Sequence, residues 1–351
     1  MPIEEIQIEN LRRIESLQIQ PGPRWNWILG ANGVGKSTVL EGIHLLATGQ
    51  SWRRGQRQLI REGSTAYQLR LRYAATGCSA QIAMRRCGEE REMLHEGERI
   101  QSAWQLLDIL PLQAWHEGNE QFVSGSAEDR RRILDWGLYY TKRNYGTLLR
   151  SYRHALKQRN AALRQGQSPR PWDRALAELG EAIQEQRDQH LQAVSQHFGR
   201  IWQHSPQGEI PVQFDLYRGW TEDLLGALER DEATDRQWGY THSGSHRARL
   251  QFRVQGRPAA EQLSRGQLRL LGIAFRLAQL AVQRVEGAKL PVILIDDFSA
   301  ELDGAAKAWW MAELDTLATQ IFAATTEAIP PMAGAIQFHL AAGRLHKEVR
   351  P

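Results

Sequence analysis

The sequence predicts an α/β fold, a mixed sheet with flanking helices, divided along the chain by an inserted helical arm domain. Three observations predict it. Residues 25–46, WNWILGANGVGKSTVLEGIHLL, run from an apolar aromatic stretch through a glycine-rich turn into an amphipathic helix, and Gly30 to Ser37 fits G-x-x-x-x-G-K-[ST]. A second short apolar run, Val292 to Ile295, ends in the paired acids Asp296 and Asp297, as a strand buried on both faces would. About 260 residues separate the two, too many for a minimal fold of this kind, and the middle of that span is periodic in the helical sense.

The glycine-rich turn is built to hold phosphates. Gly30, Gly33 and Gly35 let the backbone bend so that the N–H groups of Ala31, Asn32, Val34 and their neighbours point inward, and the following helix adds the positive end of its dipole. Lys36 reaches the terminal phosphates of a nucleoside triphosphate, Ser37 offers a hydroxyl to Mg²⁺, and Thr38 continues the helix that carries Val39, Leu40, Ile43 and Leu46 on one side. ATP and Mg²⁺ are therefore the expected ligands.

Such a loop needs an acid on a neighbouring strand. In KLPVILIDDFSAELD, Asp296 is placed to hold the Mg²⁺, directly or through water, and Asp297 to polarise an attacking water. Paired acids at a strand end also cap helices, which is the plainer alternative.

Upstream, Ser264-Arg265-Gly266-Gln267 opens a long amphipathic helix, so Ser264 is its expected N-cap and the helix start a second anion site. Here LSRGQ resembles the signature of ABC-type ATPases, usually L-S-G-G-Q, and IDDFSAELD resembles their Walker B and D-loop. The resemblance implies an ABC-type head in which the signature of one subunit faces the γ-phosphate on another, hence an ATP-dependent homodimer. An ordinary helix cap explains Ser264 equally well in isolation. The usual second Walker B acid is Glu; the shorter Asp297 implies slow hydrolysis. After QIFAATT the family's switch histidine is absent, with Thr325, Thr326 and Glu327 in its place, and Gln113, His116 and Glu117 all remain candidates for the Q-loop.

Heads carrying large insertions resemble the SMC-like proteins of DNA maintenance. Within them the opening IENLRRIESL, with Asn10-Leu11-Arg12, and Ser51-Trp52-Arg53 resemble the bacterial RecF family, as do RRRILDWG, KQRNAALRQ, RPWD, GSHRARL and SRGQLRLL in order. This resemblance implies Arg12 beside the nucleotide, binding of DNA at single-strand gaps and single/double-strand junctions, weak DNA-stimulated ATP hydrolysis, and work with RecO and RecR to load RecA in repair, replication restart and the SOS response. The helix-rich pattern runs from residue 126 to about 240, which gives a split head, residues 1–125 and 241–351, around an arm of residues 126–240.

The arm reads as two long helices separated by GQSPRPWD. Leu149, Tyr152, Leu156 and Leu163 share one face of the first. Arg143, Arg150, Lys157 and Arg164 recur every seventh residue on another, with Arg153 beside them, a basic stripe of roughly 30 Å. Residues 130–170 hold eleven basic residues against the single acid Asp135, although the whole chain carries only +4. Solvated helix faces usually interleave signs, so the stripe is read as a DNA-backbone surface without sequence specificity.

The remaining composition excludes other classes. No run of about 18 apolar residues supports a membrane span, and the N-terminus lacks a signal peptide's order, so no membrane partner and a cytosolic location are expected. Cys78 and Cys87, the only cysteines, read as buried or idle thiols, with no zinc spacing. A transporter-type ABC subunit and a long SMC-like tether are the rival readings. The basic arm disfavours the first, and about 115 inserted residues are too few for the second.

Overall fold

The computed structural model describes residues 2–53, 59–75, 78–116, 121–300, 302–329 and 332–349. The chain divides into two compact units, Met1–Asn119 with Leu290–Lys307 and Leu314–Pro351, and Glu120–Lys289 with Ala308–Glu313.

In the first unit the expected strand forms as Trp25–Leu29, buried along its length. It sits inside a six-stranded sheet ordered Arg344–Val349, Ile336–Ala341, Trp25–Leu29, Ile321–Thr325, Val292–Ile295, Leu112–Trp115. Five strands run parallel and the edge strand Arg344–Val349 antiparallel, so the sheet is mixed. Parallel strands covered on both faces need apolar side chains on both, which is why WNWIL and VILI show no alternation. A second, wholly antiparallel sheet contains Ile14–Ile19, Ile3–Leu11, Ala66–Ala75, Cys78–Cys87, Glu90–His95 and Glu98–Arg99.

Helix Lys36–Thr48 joins the two sheets into one core. Its Val39, Leu40, Ile43 and Leu46 pack with Ile6, Ile8, Leu69 and Leu71 of the antiparallel sheet and with Ile28, Leu294 and Phe322 of the parallel one. Each such fully buried side chain contributes about 1.5–3 kcal/mol. Gly42 permits the close approach, because a Cβ there would stand 2.9 Å from Ile8 Cδ1. On the sheet's other face the Trp25 and Trp27 rings stack at 5.0 Å, with Phe298 edge-on to Trp27 at 5.1 Å. Both cysteines are exposed rather than buried, at the two ends of strand Cys78–Cys87.

The second unit departs from the expected arm in three ways. The first helical run is broken into Ala127–Thr141 and Tyr145–Arg164, whereas the second is one helix of 34 residues, Arg170–Gln203. The break at residues 142–144 lets Tyr145 turn back and donate its hydroxyl to Asp135 at 2.5 Å, while Arg187 grips the same carboxylate at 2.8 and 2.9 Å. Gly146 allows the crossing, since a Cβ there would be 2.5 Å from the Tyr139 ring. Secondly, the region is not all helical: Val212–Tyr217 pairs along its whole length with Arg249–Val254. Thirdly, the unit therefore does not end at residue 240. It continues to Lys289, because that strand pairing and the packing of helix Arg265–Val285 on helix Arg170–Gln203 tie residues 241–289 to it. Phe122, Phe198, Phe214, Phe252 and Phe275 interlock there with ring centroids 5.2–5.9 Å apart.

Arg159 pins the other end of this unit. Its side chain is wholly buried and bonds Asp173 at 2.7 Å, Asp235 at 2.5 Å and the Thr241 hydroxyl at 2.9 Å. Removing one partner of a buried ion pair strands the other charge at a cost of about 3–5 kcal/mol. Arg159→Ala is accordingly expected to lower the unfolding free energy of this unit, read from urea denaturation, by that amount, and a loss under about 1 kcal/mol would mean the carboxylates find water instead.

Candidate nucleotide site and arm surface

The first unit assembles the glycine-rich loop and the paired acids at one edge of the parallel sheet. Gly30, Gly33 and Gly35 take φ of 153°, 79° and 111°, a region closed to most side chains. At Gly30 a Cβ would also lie 2.6 Å from the Leu340 carbonyl oxygen. Ala31, Asn32 and Gly33 are exposed, Val34 is half-buried, and the carbonyl of Val34 accepts the Gly343 amide at 3.0 Å. Gly35 precedes the helix without a side-chain cap, leaving its first turn's N–H groups, those of Lys36 and Ser37 among them, facing the loop. Thr38 is buried and donates its amide to Gly35 at 2.9 Å.

Lys36 folds its ammonium back onto the loop, donating to the Gly30 and Ala31 carbonyls at 2.8 and 2.9 Å. Burial pushes its pKa down, opposed by the charges of Asp297 and Asp296. Asp296 follows strand Val292–Ile295 and donates its amide to Trp115 at 2.8 Å. Burial pushes its carboxyl up, countered by a hydrogen bond from Ser37, by Arg53 and by Lys36. The Ser37 hydroxyl and the Asp296 carboxylate thus meet, a pair of hard oxygen donors that suits Mg²⁺, which keeps several waters and phosphate oxygens besides. When bound, the ion would neutralise phosphate charge there. Asp297 is exposed and left-handed, φ 57°, which Asp tolerates better than most residues.

Arg12 is paired within the chain. Its guanidinium binds Glu41 at 2.6 and 2.9 Å, and Glu41 has no exposed surface. The same carboxylate accepts the Ser51 hydroxyl. Glu41 therefore knits Asn10-Leu11-Arg12 to Ser51-Trp52-Arg53, and it escaped the sequence reading because a helix position beside Leu40 carries no signal of a buried charge. Two further residues were given no role at the site: Arg53, named only within a motif, whose Nη2 lies 3.7 Å from Asp296, and Arg13, which donates to the Gly33 carbonyl at 2.9 Å.

The Q-loop candidates separate. Gln113 is buried in strand Leu112–Trp115, and neither of its amide atoms meets a hydrogen-bond partner among the described residues. His116 stacks on Trp52 at 5.2 Å, with His44 edge-on to the same indole at 4.8 Å. Glu117 lies outside the described residues. Beyond strand Ile321–Thr325, the Thr325 hydroxyl pairs with Ser299 at 3.0 Å and Glu327 binds Lys307 at 2.8 Å.

In the second unit Ser264 caps helix Arg265–Val285. Its hydroxyl accepts the Gln267 amide at 3.3 Å while the Gln267 side chain accepts the Ser264 amide at 2.9 Å, a reciprocal capping box. Ser264 and Arg265 are exposed and Gly266 is half-buried. The signature-like residues therefore belong to a different compact unit from the glycine-rich loop.

Arg150, Arg153, Lys157 and Arg164 are exposed along helix Tyr145–Arg164, opposite the buried Leu149, Tyr152 and Leu163. Arg143 is exposed too, but it lies in the break before that helix, so the stripe begins at Arg150. Of the neighbouring basic residues, Arg159 is spent in the core.

Known proteins resolve what these pieces add up to. The model of the family described as RecF/RecN/SMC N terminal domain matches residues 2–329. The DNA replication and repair protein RecF of Thioalkalivibrio sulfidiphilus is 35% identical over 93% of both chains, and that of Chromohalobacter salexigens 34% identical over 99% of this chain and all of the other. A solved structure described as the recombination mediator protein RecF with ATP in the RecFOR pathway superposes with a TM-score of 0.85 at 21% identity, covering 99% of this chain and 97% of that one. An Smc head bound to the C-terminal winged-helix domain of ScpA gives 0.62 at 17% identity over 99% and 97%. Two compact units, one bearing a phosphate-type loop beside paired acids and the other a capped LSRGQ helix, thus form an ABC-type, SMC-like fold, and the chain belongs to the RecF family.

Proposed function

We propose that this chain is an ATP-dependent DNA-binding protein whose two nucleotide-bound copies close as a dimer and clamp DNA at gaps and junctions. The observation that carries the reading is the separation of Gly30–Ser37 and Ser264–Gln267 into different compact units, each ending a helix toward solvent with an anion-accepting N-terminus. In this reading Lys36 and the loop hold ATP, Ser37 and Asp296 hold Mg²⁺, and Asp297 orients the attacking water. Ser264, Arg265, Gly266 and Gln267 engage the γ-phosphate on the partner copy. Arg12 acts through Glu41, positioning the loop rather than touching ATP.

The DNA surface is the stripe of Arg150, Arg153, Lys157 and Arg164, with Arg143 at its end. Contacts of this kind are to phosphates, so affinity falls steeply with salt and carries no sequence preference. Relatives described as DNA replication and repair proteins, and solved RecF structures described as belonging to the RecFOR pathway, support RecO and RecR as partners. Loading of RecA, support of replication restart and the SOS response, and a cytosolic site of action complete the proposal. Hydrolysis is slow and serves to release DNA.

Lys36→Ala removes the one ammonium aimed at the loop and is expected to weaken ATP binding about a hundredfold or more, the worth of one or two charge-assisted hydrogen bonds. Calorimetry that finds wild-type affinity would sink the loop assignment. Ser264→Arg is expected to bind ATP normally and yet remain monomeric in light scattering with ATP and gapped DNA, and an ATP-dependent dimer of that variant contradicts the facing arrangement.

A further inference from the structure

Beside the basic stripe runs a segment that the phosphate-binding reading does not use. Helix Glu232–Trp238 ends at Gly239, whose φ of 72° closes the turn, and the chain continues through Tyr240 to Thr241. Trp238 is 60% exposed and Tyr240 39%, among the few large apolar side chains left in solvent. Scattered single apolar residues on a surface are ordinary, but here two large aromatic side chains are exposed within three residues of chain.

The segment is fixed against the stripe itself. Arg150, Arg153, Lys157, Asn160 and Arg164 fall within about 80° of arc on helix Tyr145–Arg164 at 100° per residue. Asn160 accepts both the amide and the hydroxyl of Thr241, at 2.9 and 2.7 Å. The aliphatic stem of Arg164 packs on Gly239, its Cγ 3.0 Å from where a Cβ would stand, so this cation's side chain meets the segment between the two aromatic residues. Tyr240 is itself held by His242 at 4.4 Å and by the Arg247 guanidinium at 5.2 Å. The result is a row of exposed cations bordered by a segment that is anchored through Gly239, Tyr240 and Thr241 and carries the exposed indole of Trp238.

A duplex offers such a surface only its phosphates, because its base faces are stacked away. An unpaired strand offers both, and base stacking on aromatics is the usual complement to a basic track in single-strand binding. We propose that Trp238, exposed at the end of its helix next to the Gly239 on which Arg164 packs, is a stacking platform for unpaired bases where single-stranded DNA leaves the duplex lying on the basic stripe. The inference rests on the DNA-binding function proposed above, and it adds the element that tells a junction from a plain duplex. A protein partner is the competing occupant of an exposed Trp and Tyr, but the exposed cations Lys157 and Arg164 on the neighbouring helix favour a polyanion.

The test compares a blunt duplex with the same duplex carrying an oligo(dT) tail, using the full-length chain with ATP. Trp238→Ala is expected to bind the tailed DNA about tenfold more weakly, or about 1.4 kcal/mol, with blunt-duplex affinity and salt dependence unchanged. Trp238→Phe keeps most of the tail preference, and 2-aminopurine placed in the tail is quenched on binding wild type but not Trp238→Ala. Lys157→Ala with Arg164→Ala weakens both DNAs and flattens the salt dependence instead. Unchanged binding of both DNAs by Trp238→Ala overturns the inference and leaves the aromatic pair to a protein partner, and equal loss on both overturns it as well. Wild-type protein that binds neither DNA contradicts the proposed function and this inference together.

Discussion

The site depends on one constraint, the parallel register of four strands. Leu29 lies opposite Thr325, Ala323 opposite both Trp27 and Ile295, and Ile295 opposite Trp115. Because all four run the same way, Gly30, Asp296, His116 and Thr326 leave the sheet at the same edge. The glycine-rich loop, Asp296, His116 and Thr326, from distant parts of the chain, therefore converge with no local interaction to bring them there. The register is enforced by burial: WNWIL, VILI and IFAAT are covered on both faces, and a slip of one residue would exchange every side chain between the two cores.

On that frame, magnitudes decide which charged group does what. Glu41 has no exposed surface, and a carboxylate left alone there would cost several kcal/mol. Arg12 is therefore paired with it, and Arg13 beside it donates to the Gly33 carbonyl of the loop. Lys36 is placed differently. Its charge-assisted bonds run to the Gly30 and Ala31 carbonyls, which are neutral acceptors, whereas an ionised phosphate oxygen adds the Coulomb attraction of a second charge. In the proposed reading an arriving triphosphate wins the ammonium from the loop's own carbonyls. Arg53 stands 3.7 Å from Asp296, close enough to offset its charge and too far for a tight pair, so a cation at Ser37 and Asp296 could replace it.

Much of this was legible in the sequence, and the failures have physical causes. Strand, loop and helix at residues 25–48 follow from glycine placement and apolar periodicity, and the capping box at Ser264 and Gln267 from a serine three residues before a glutamine. Long-range pairing leaves no such local mark. The strand Val212–Tyr217 is matched by Arg249–Val254 across a connection of more than thirty residues, so the second unit extends past the boundary that helical periodicity suggests. The break at residues 142–144 is equally hidden, because Tyr145 turns back for Asp135, an acid that local charge counting treats as an isolated exception. Glu41, Arg53 and Arg13 matter only through partners far away in sequence.

The central claim is that one nucleotide site is shared between two copies, the loop from one and the signature helix from the other. Mixing Lys36→Ala with Ser264→Arg protein tests it most directly, because neither variant alone can build a complete site, while a mixed pair contains one: Lys36 of the second with Ser264 of the first. Sedimentation with ATP, Mg²⁺ and DNA should find each variant monomeric alone and a heterodimer in the mixture. A mixture that stays as monomeric as its components would contradict the account.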